Sequence, residues 1–174
     1  MDHSTKMMQC CSVAPTPTTT LASCSTMTND DNNSKNATLV LREARSLFTK
    51  VGAAAIMGNI DVETRGSFDY QQKHYYGGPG YGLFQMEQAM QADYKNWLAK
   101  EYLKDSAKSQ LKYIKNEITN GSYIGAGNAR IIRESFERHD VDQATREFCE
   151  RLERPLVSHM ERRIEAARKF YRSQ

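Results

Sequence analysis

Residues 53–60 read Ala-Ala-Ala-Ile-Met-Gly-Asn-Ile, a helix-forming run with small or apolar side chains at nearly every position. Alanines lose little entropy on ordering and let neighbouring elements approach closely, so a helix built from Ala53, Ala54, Ala55, Ile56, Met57 and Ile60 can sit wholly inside a core. The rest of the chain must then pack around it. Glu63 follows within a turn and is the charged side chain placed to leave that core. If it emerges on the buried face, it stands at the wall of a cleft, where desolvation raises a carboxyl pKa. A carboxylic acid that keeps its proton near neutral pH is what glycosidic cleavage needs, because the leaving oxygen takes a proton as the bond breaks. Asp61 is a poor rival, since two residues' spacing on a helix turns the side chains apart.

Residues 1–36 are rich in Ser, Thr, Asn, Asp and Pro, a composition that cannot bury enough surface to offset the entropy of ordering. They are expected to be a disordered tail or linker, leaving residues 37–174 as one domain. Val40, Ala44, Leu47 and Phe48 recur at helical spacing, and a second helix is predicted from about Gly52 to Glu63. Gly77-Gly78-Pro79-Gly80 interrupts regular structure, so residues 66–80 form a loop, with Phe68, Tyr70, Tyr75, Tyr76 and Tyr81 placing five rings near it. A short hairpin is compatible with that segment.

Further helices are marked by Met90, Tyr94, Trp97 and Leu98, by Ala107, Leu111, Ile114 and Ile118 closed at Asn120-Gly121, and by Ala129, Ile132 and Phe136. Asp140 opens another, with Gln143 three residues on as in a capping box and an inner stripe of Val141, Ala144, Phe148 and Leu152. Pro155 is placed to end that helix and begin the last, whose stripe is Leu156, Met160, Ile164, Ala167 and Tyr171. The expected fold class is mostly α, with a loop-rich active region and no internal repeat.

Several functions are disfavoured. The net charge of +3 is too small to argue for nucleic acid, and the late arginines alternate with almost as many acids, as on solvated helix faces. A mildly basic surface nonetheless suits an anionic cell-wall polymer. No apolar run reaches the roughly 20 residues of a membrane span. The first twenty residues lack the hydrophobic core of a secretory signal. Leu21-Ala22-Ser23-Cys24 has the form of a lipoprotein cleavage box, but the preceding Pro- and Thr-rich residues cannot supply the apolar helix such a box requires. His3, His74, His139 and His159 are scattered without zinc-ligand spacing, and no cofactor or metal is expected. Cys10, Cys11, Cys24 and Cys149 form no Cys-x-x-Cys pair. Nothing polarises Cys149, which reads as a small buried hydrophobe rather than a nucleophile paired with His159.

Three segments in order, Ile56-Met57-Gly58-Asn59-Ile60-Asp61-Val62-Glu63, Tyr81-Gly82-Leu83-Phe84-Gln85-Met86 and Leu152-Glu153-Arg154-Pro155, resemble the phage tail lysozyme family. The likeness spans about residues 38–171, and three ordered motifs are more specific than any one. Members are similar to both lysozymes and lytic transglycosylases. The resemblance implies a lysozyme-like helical domain that cleaves the β-1,4 bond between N-acetylmuramic acid and N-acetylglucosamine in peptidoglycan, with Glu63 as catalytic acid and Gly82, Leu83, Phe84 and Gln85 along the substrate cleft. It also implies a virion or a host periplasm and cell-wall setting, with other virion or tail proteins as partners of the N-terminal tail. Two departures stand out. Thr64 replaces the serine that commonly follows the glutamate, keeping the hydroxyl, and Met86 replaces a tryptophan, losing the indole.

A second carboxylate, if the reaction uses one, is expected from the loop, with Asp69 the nearest candidate and Glu87 behind it. About 5 Å from Glu63 it would act as nucleophile, and at about 6.5 to 9.5 Å it would activate water. A solvated loop acid is an equally good reading of Asp69, and lytic transglycosylases work with one acid because the substrate's own hydroxyl attacks. Gln85 and Asn59 are amides suited to grip N-acetyl groups and hydroxyls, or else to satisfy buried backbone, the stronger reading for Asn59 on its helix. Tyr75, Tyr76 and Tyr81 either stack on sugar faces or pack the loop against the domain. In the third motif an arginine buried beside carboxylates is expected to tie the late helices to the catalytic half, with Glu63 as one possible partner. A non-catalytic virion or wall-binding protein of the same fold is the alternative from another class.

Overall fold

The computed structural model describes residues 28–74 and 77–174. At its centre lies helix α2 (Lys50–Glu63), in which every residue from Val51 to Ile60 is buried. A helix apolar all round has to be enclosed on all sides. Helix α7 (Met160–Arg172) packs most closely against it, followed by α6 (Val141–Phe148), α1 (Asn29–Leu47) and α5 (Ala126–Glu137). Thr49 starts α2: its hydroxyl accepts from the Gly52 N–H at 3.1 Å and donates to the Phe136 carbonyl at 2.6 Å. Gly58 sets the approach of α7. A Cβ there would lie 2.5 Å from the Arg163 carbonyl oxygen and 2.7 Å from the Ala167 nitrogen.

Helix α1 begins earlier than the composition suggested. Thr28 and Asp31 form a reciprocal capping box, so residues 29–36 are the first turns of a helix rather than part of the tail; residues 1–27 lie outside the described residues. Asn36 Nδ2 donates to the Ser67 carbonyl at 3.1 Å, fastening this end of α1 to the loop after α2. Helices α3 (Gln88–Lys100) and α4 (Ala107–Asn120) follow the anticipated periodicity, and α4 closes on Gly121 in the left-handed region with φ 66°. Among the described residues no helix is long and apolar enough to cross a membrane.

The end of the chain departs from expectation in three places. Asp140 caps α6 by accepting from the Gln143 N–H at 3.0 Å, but the Gln143 side chain donates to Glu147 at 2.6 Å instead of reaching back, so only half of the capping box forms. Helix α6 runs into a π-helical turn, Cys149–Glu153, which ends at Arg154 with φ 48°. That left-handed residue redirects the chain before Pro155, and α7 starts only at Met160 after a second left-handed residue, His159. Leu156, assigned by spacing to the inner stripe, is therefore fully exposed, while Ile164 and Ala167 are buried as their spacing required.

The loop from Thr64 to Glu87 contains no hairpin among its described residues. Two isolated antiparallel bridges, Lys73 with Tyr81 and Tyr81 with Met86, hold it instead. Thr64 is buried and donates its hydroxyl to the Ile60 carbonyl at 2.7 Å while accepting from the Phe68 N–H at 3.1 Å. The hydroxyl common to serine and threonine thus ends α2 and starts the loop. Phe68 turns inward to meet Phe170 of α7 edge-on, leaving the ring set that the sequence placed along the loop.

Candidate active site

Glu63 stands at the C-terminal end of α2 on the wall of a cleft of about 510 Å³, shared with Gln72, Gln85, His159, Arg162 and Arg163. Its side chain is 16% exposed, and its Oε1 accepts from Arg163 Nη2 at 2.5 Å; Arg163 is 1% exposed. A guanidinium that deep needs every donor placed. Arg163 Nη1 donates to Asn59 Oδ1 at 3.0 Å and Nε to the Ser158 carbonyl at 2.6 Å. Asn59, itself fully buried, sends its amide NH2 to the Ala55 carbonyl at 2.8 Å. Asn59 is thus an internal strut that orients the arginine, in line with the buried-backbone reading and away from sugar contact.

The buried arginine anticipated within Glu153-Arg154-Pro155 is found elsewhere. Arg154 is exposed and donates to the carbonyls of Arg151 at 3.0 Å and Ile124 at 3.4 Å. Its backbone is left-handed, and Arg163 of α7 takes the place beside Glu63. What the motif does contribute is Glu153. Its Oε1 is buried with no hydrogen-bond partner among the described residues. Burial first and the neighbouring Glu63 second push this carboxyl well above its ordinary value of 4.5, against the opposing pull of Arg163. Cys149, on the same turn, is buried, and burial pushes its thiol up to about 11, which leaves it protonated and unreactive.

The second motif shapes the opposite wall from behind. Gln85 lines the cleft; its backbone is left-handed, with φ 41°, and its Nε2 donates to the Gly82 carbonyl at 3.0 Å. Gly82, with φ 77°, permits close approach to Gln110, whose Oε1 a Cβ would meet at 2.5 Å. From α4, Gln110 accepts the Leu83 N–H at 2.9 Å and donates to the Tyr70 carbonyl at 2.8 Å. Phe84 is buried against Phe148, and Met86 is likewise in the core, so neither presents a face to the cleft. Tyr81 donates its hydroxyl to Asp105, and its pKa is raised by burial and by that carboxylate. Of the rings placed along the cleft by sequence, Tyr81 is thus tied inward; Tyr75 and Tyr76 lie outside the described residues.

Asp69 is exposed and accepts the Gln71 N–H at 2.9 Å, closing its own turn. Neither it nor Glu87 is among the described residues lining the Glu63 cleft, where Glu63 is the one acid. Asp61 is half-buried outside that lining, and its carboxyl is raised by burial against the opposing Arg162 and Lys169. No cluster of three or more His, Cys, Asp or Glu side chains able to hold a metal occurs among the described residues. Sequence reasoning missed Arg163, Gln72, Arg162 and His159. A signal for Arg163 was available: it falls three after Met160 and one before Ile164, on the inner face of its helix, where a cation requires an acidic partner.

A comparison with curated proteins finds no match. The family model for phage tail lysozyme matches residues 26–173, from just before the Thr28 cap to the end of α7 and across every element that builds the Glu63 cleft. The chain therefore belongs to the phage tail lysozyme family.

Proposed function

We propose that this protein acts on bacterial peptidoglycan and cleaves the β-1,4 bond between N-acetylmuramic acid and N-acetylglucosamine, with Glu63 as general acid. Family membership supports a lysozyme-like activity on that polymer. The observation that carries the assignment of the acid is the position of Glu63, held at the mouth of an otherwise buried helix with one edge open to a cleft large enough for sugar rings. A donor fixed by its surroundings needs no reorganisation when the leaving oxygen develops charge. Gln72 and Gln85 supply amide groups across the cleft for hydroxyls and N-acetyl groups.

Glu63 being the one acid among the described lining residues favours the single-acid route, in which a hydroxyl of the substrate attacks and the product ends in an anhydro sugar. The hydrolytic route requires a second carboxylate, and Asp69 on the loop after α2, outside the described lining of the cleft, is the candidate for it. Mass spectrometry of fragments from isolated peptidoglycan separates the two: anhydro ends with Asp69→Asn fully active mark the first, reducing ends with Asp69→Asn inactive the second. Glu63→Gln is expected to lower muropeptide release by at least about a hundredfold with helicity retained, and to lower the melting temperature because it removes the carboxylate facing buried Arg163; turnover like that of the wild type would remove Glu63 as the acid. The setting we propose is a phage virion or tail acting at the host cell wall, with residues 1–27 as a connection to other virion proteins.

A further inference from the structure

The lining of the Glu63 cleft is more basic than the rest of the chain. It carries three arginines, Arg65, Arg162 and Arg163, against one acid, Glu63. Three arginines less one glutamate leave the lining at +2, before its two histidines are counted, out of a net charge of +3 for all 174 residues. The remainder of the chain is therefore close to neutral, and the positive charge gathers around the proposed acid.

The two adjacent arginines of α7 are used differently. Arg163 is 1% exposed, pairs with Glu63 and gives its other donors to Asn59 and to the Ser158 carbonyl. Its charge is internal to the fold. Arg162 is exposed on the cleft, and its side chain makes no hydrogen bond or ion pair among the described residues. Asp61 is within reach of its charge, but burial outweighs that pull and keeps the Asp61 carboxyl above its ordinary value, outside the lining. The neighbouring Glu161 is exposed and also lies outside the lining. Arg65, two residues past Glu63 with a left-handed φ of 54°, adds a second exposed guanidinium from the end of α2.

A backbone of N-acetyl sugars is uncharged, and amides such as Gln72 and Gln85 suit its hydroxyls and acetamido groups. A guanidinium is matched instead by a carboxylate, through paired charge-assisted hydrogen bonds. In peptidoglycan the carboxylates hang from the lactyl arm of muramic acid, either as the lactyl group itself or along the peptide joined to it. We propose that Arg162, supported by Arg65, binds a carboxylate on the lactyl arm of muramic acid and so selects muramyl glycan over neutral polymers of N-acetylglucosamine. The inference rests on the reading of this cleft as the glycan site. Arg162 is a specificity residue, since it holds an appendage of the substrate and not the bond that breaks. Standing in solvent, it attracts its partner through a field that salt screens, whereas contacts to uncharged sugar are indifferent to salt.

The test measures binding to the full chain by nuclear magnetic resonance shifts recorded before turnover. Three tetrasaccharides are compared: a muramyl form carrying peptide, the same form stripped of peptide so that its lactyl carboxylate is free, and the neutral N-acetylglucosamine tetramer. The wild type should bind at least one muramyl form about tenfold or more tighter than the neutral tetramer, and the difference should shrink as salt rises from about 0.05 to 0.5 M. Affinity lost on stripping assigns the carboxylate to the peptide, and affinity kept assigns it to the lactyl group; both support the proposal. Arg162→Gln should lose about tenfold in affinity for the preferred muramyl form and nothing for the tetramer, with Arg162→Lys recovering part of the loss. On isolated peptidoglycan the loss should fall on KM and not on kcat. Equal affinity of the wild type for muramyl and neutral tetrasaccharides, or an Arg162→Gln that weakens all three alike or none, would overturn the proposal. Binding is read without catalysis, so a chain that holds muramyl glycan through Arg162 yet cleaves nothing removes the catalytic reading alone, and cleavage with an unchanged KM in Arg162→Gln removes this inference alone.

Discussion

Burial raises the affinity of the Glu153 carboxyl for a proton in the folded protein, and this has a thermodynamic consequence. Its folded-state pKa lies above the ordinary 4.5. Below that value both states are protonated and the group costs nothing. As pH rises through 4.5 towards the folded pKa, the unfolded state releases its proton first, and stability falls by up to about 1.4 kcal/mol per pH unit. Glu153→Gln removes that loss. Urea denaturation should therefore give nearly equal midpoints for variant and wild type in acid and a higher midpoint for the variant at neutral pH. At this scale the three ordered motifs singled out Glu63 as the proposed acid, and the structure places it on the wall of a cleft at the end of an apolar helix. The sequence did not separate rings that fill a core from rings that line a cleft: Phe84 and Tyr81 carry the same chemistry in either place, and only the packing against Phe148 and the bond to Asp105 decides.

The element that governs the site is the contact between α2 and α7. Gly58 brings the backbone of α7 against α2, and the atoms a Cβ would strike are the Arg163 carbonyl and the Ala167 nitrogen, neither of which can retreat without moving the helix. Gly58→Ala should cost about 2 to 3 kcal/mol, measured by urea denaturation, and should depress muropeptide release by drawing Arg163 away from Glu63. Helical periodicity made α3, α4 and α5 readable, since apolar side chains at spacing three and four have few alternatives. The passage from α6 to α7 was not readable. Pro155 signalled a break correctly, but the left-handed conformations of Arg154 and His159 are not favoured by those residue types and arise from tertiary packing. The same packing makes the π-helical turn, which sequence spacing represents as ordinary helix.

For the molecule as a whole, the order of motifs conveyed the family and composition conveyed a polar leading segment, but the junction between them was misplaced. Asp30, Asp31 and Asn32 look like tail residues, yet acids in a first turn favour a helix N-terminus, and Thr28 completes the cap. Removal of residues 1–27 should leave thermal melting and muropeptide release unchanged. Extending the deletion through Asn36 removes the capping box and the bond to Ser67, and should cost about 2 kcal/mol, seen as a lower melting temperature. The hold of Gln110 on both Tyr70 and Leu83 has a mechanical corollary. One amide pins the two flanks of the segment bearing Gln72 to a single helix, so a glycan strand pressed into the groove meets a braced jaw, and the load passes into α4 instead of bending the loop.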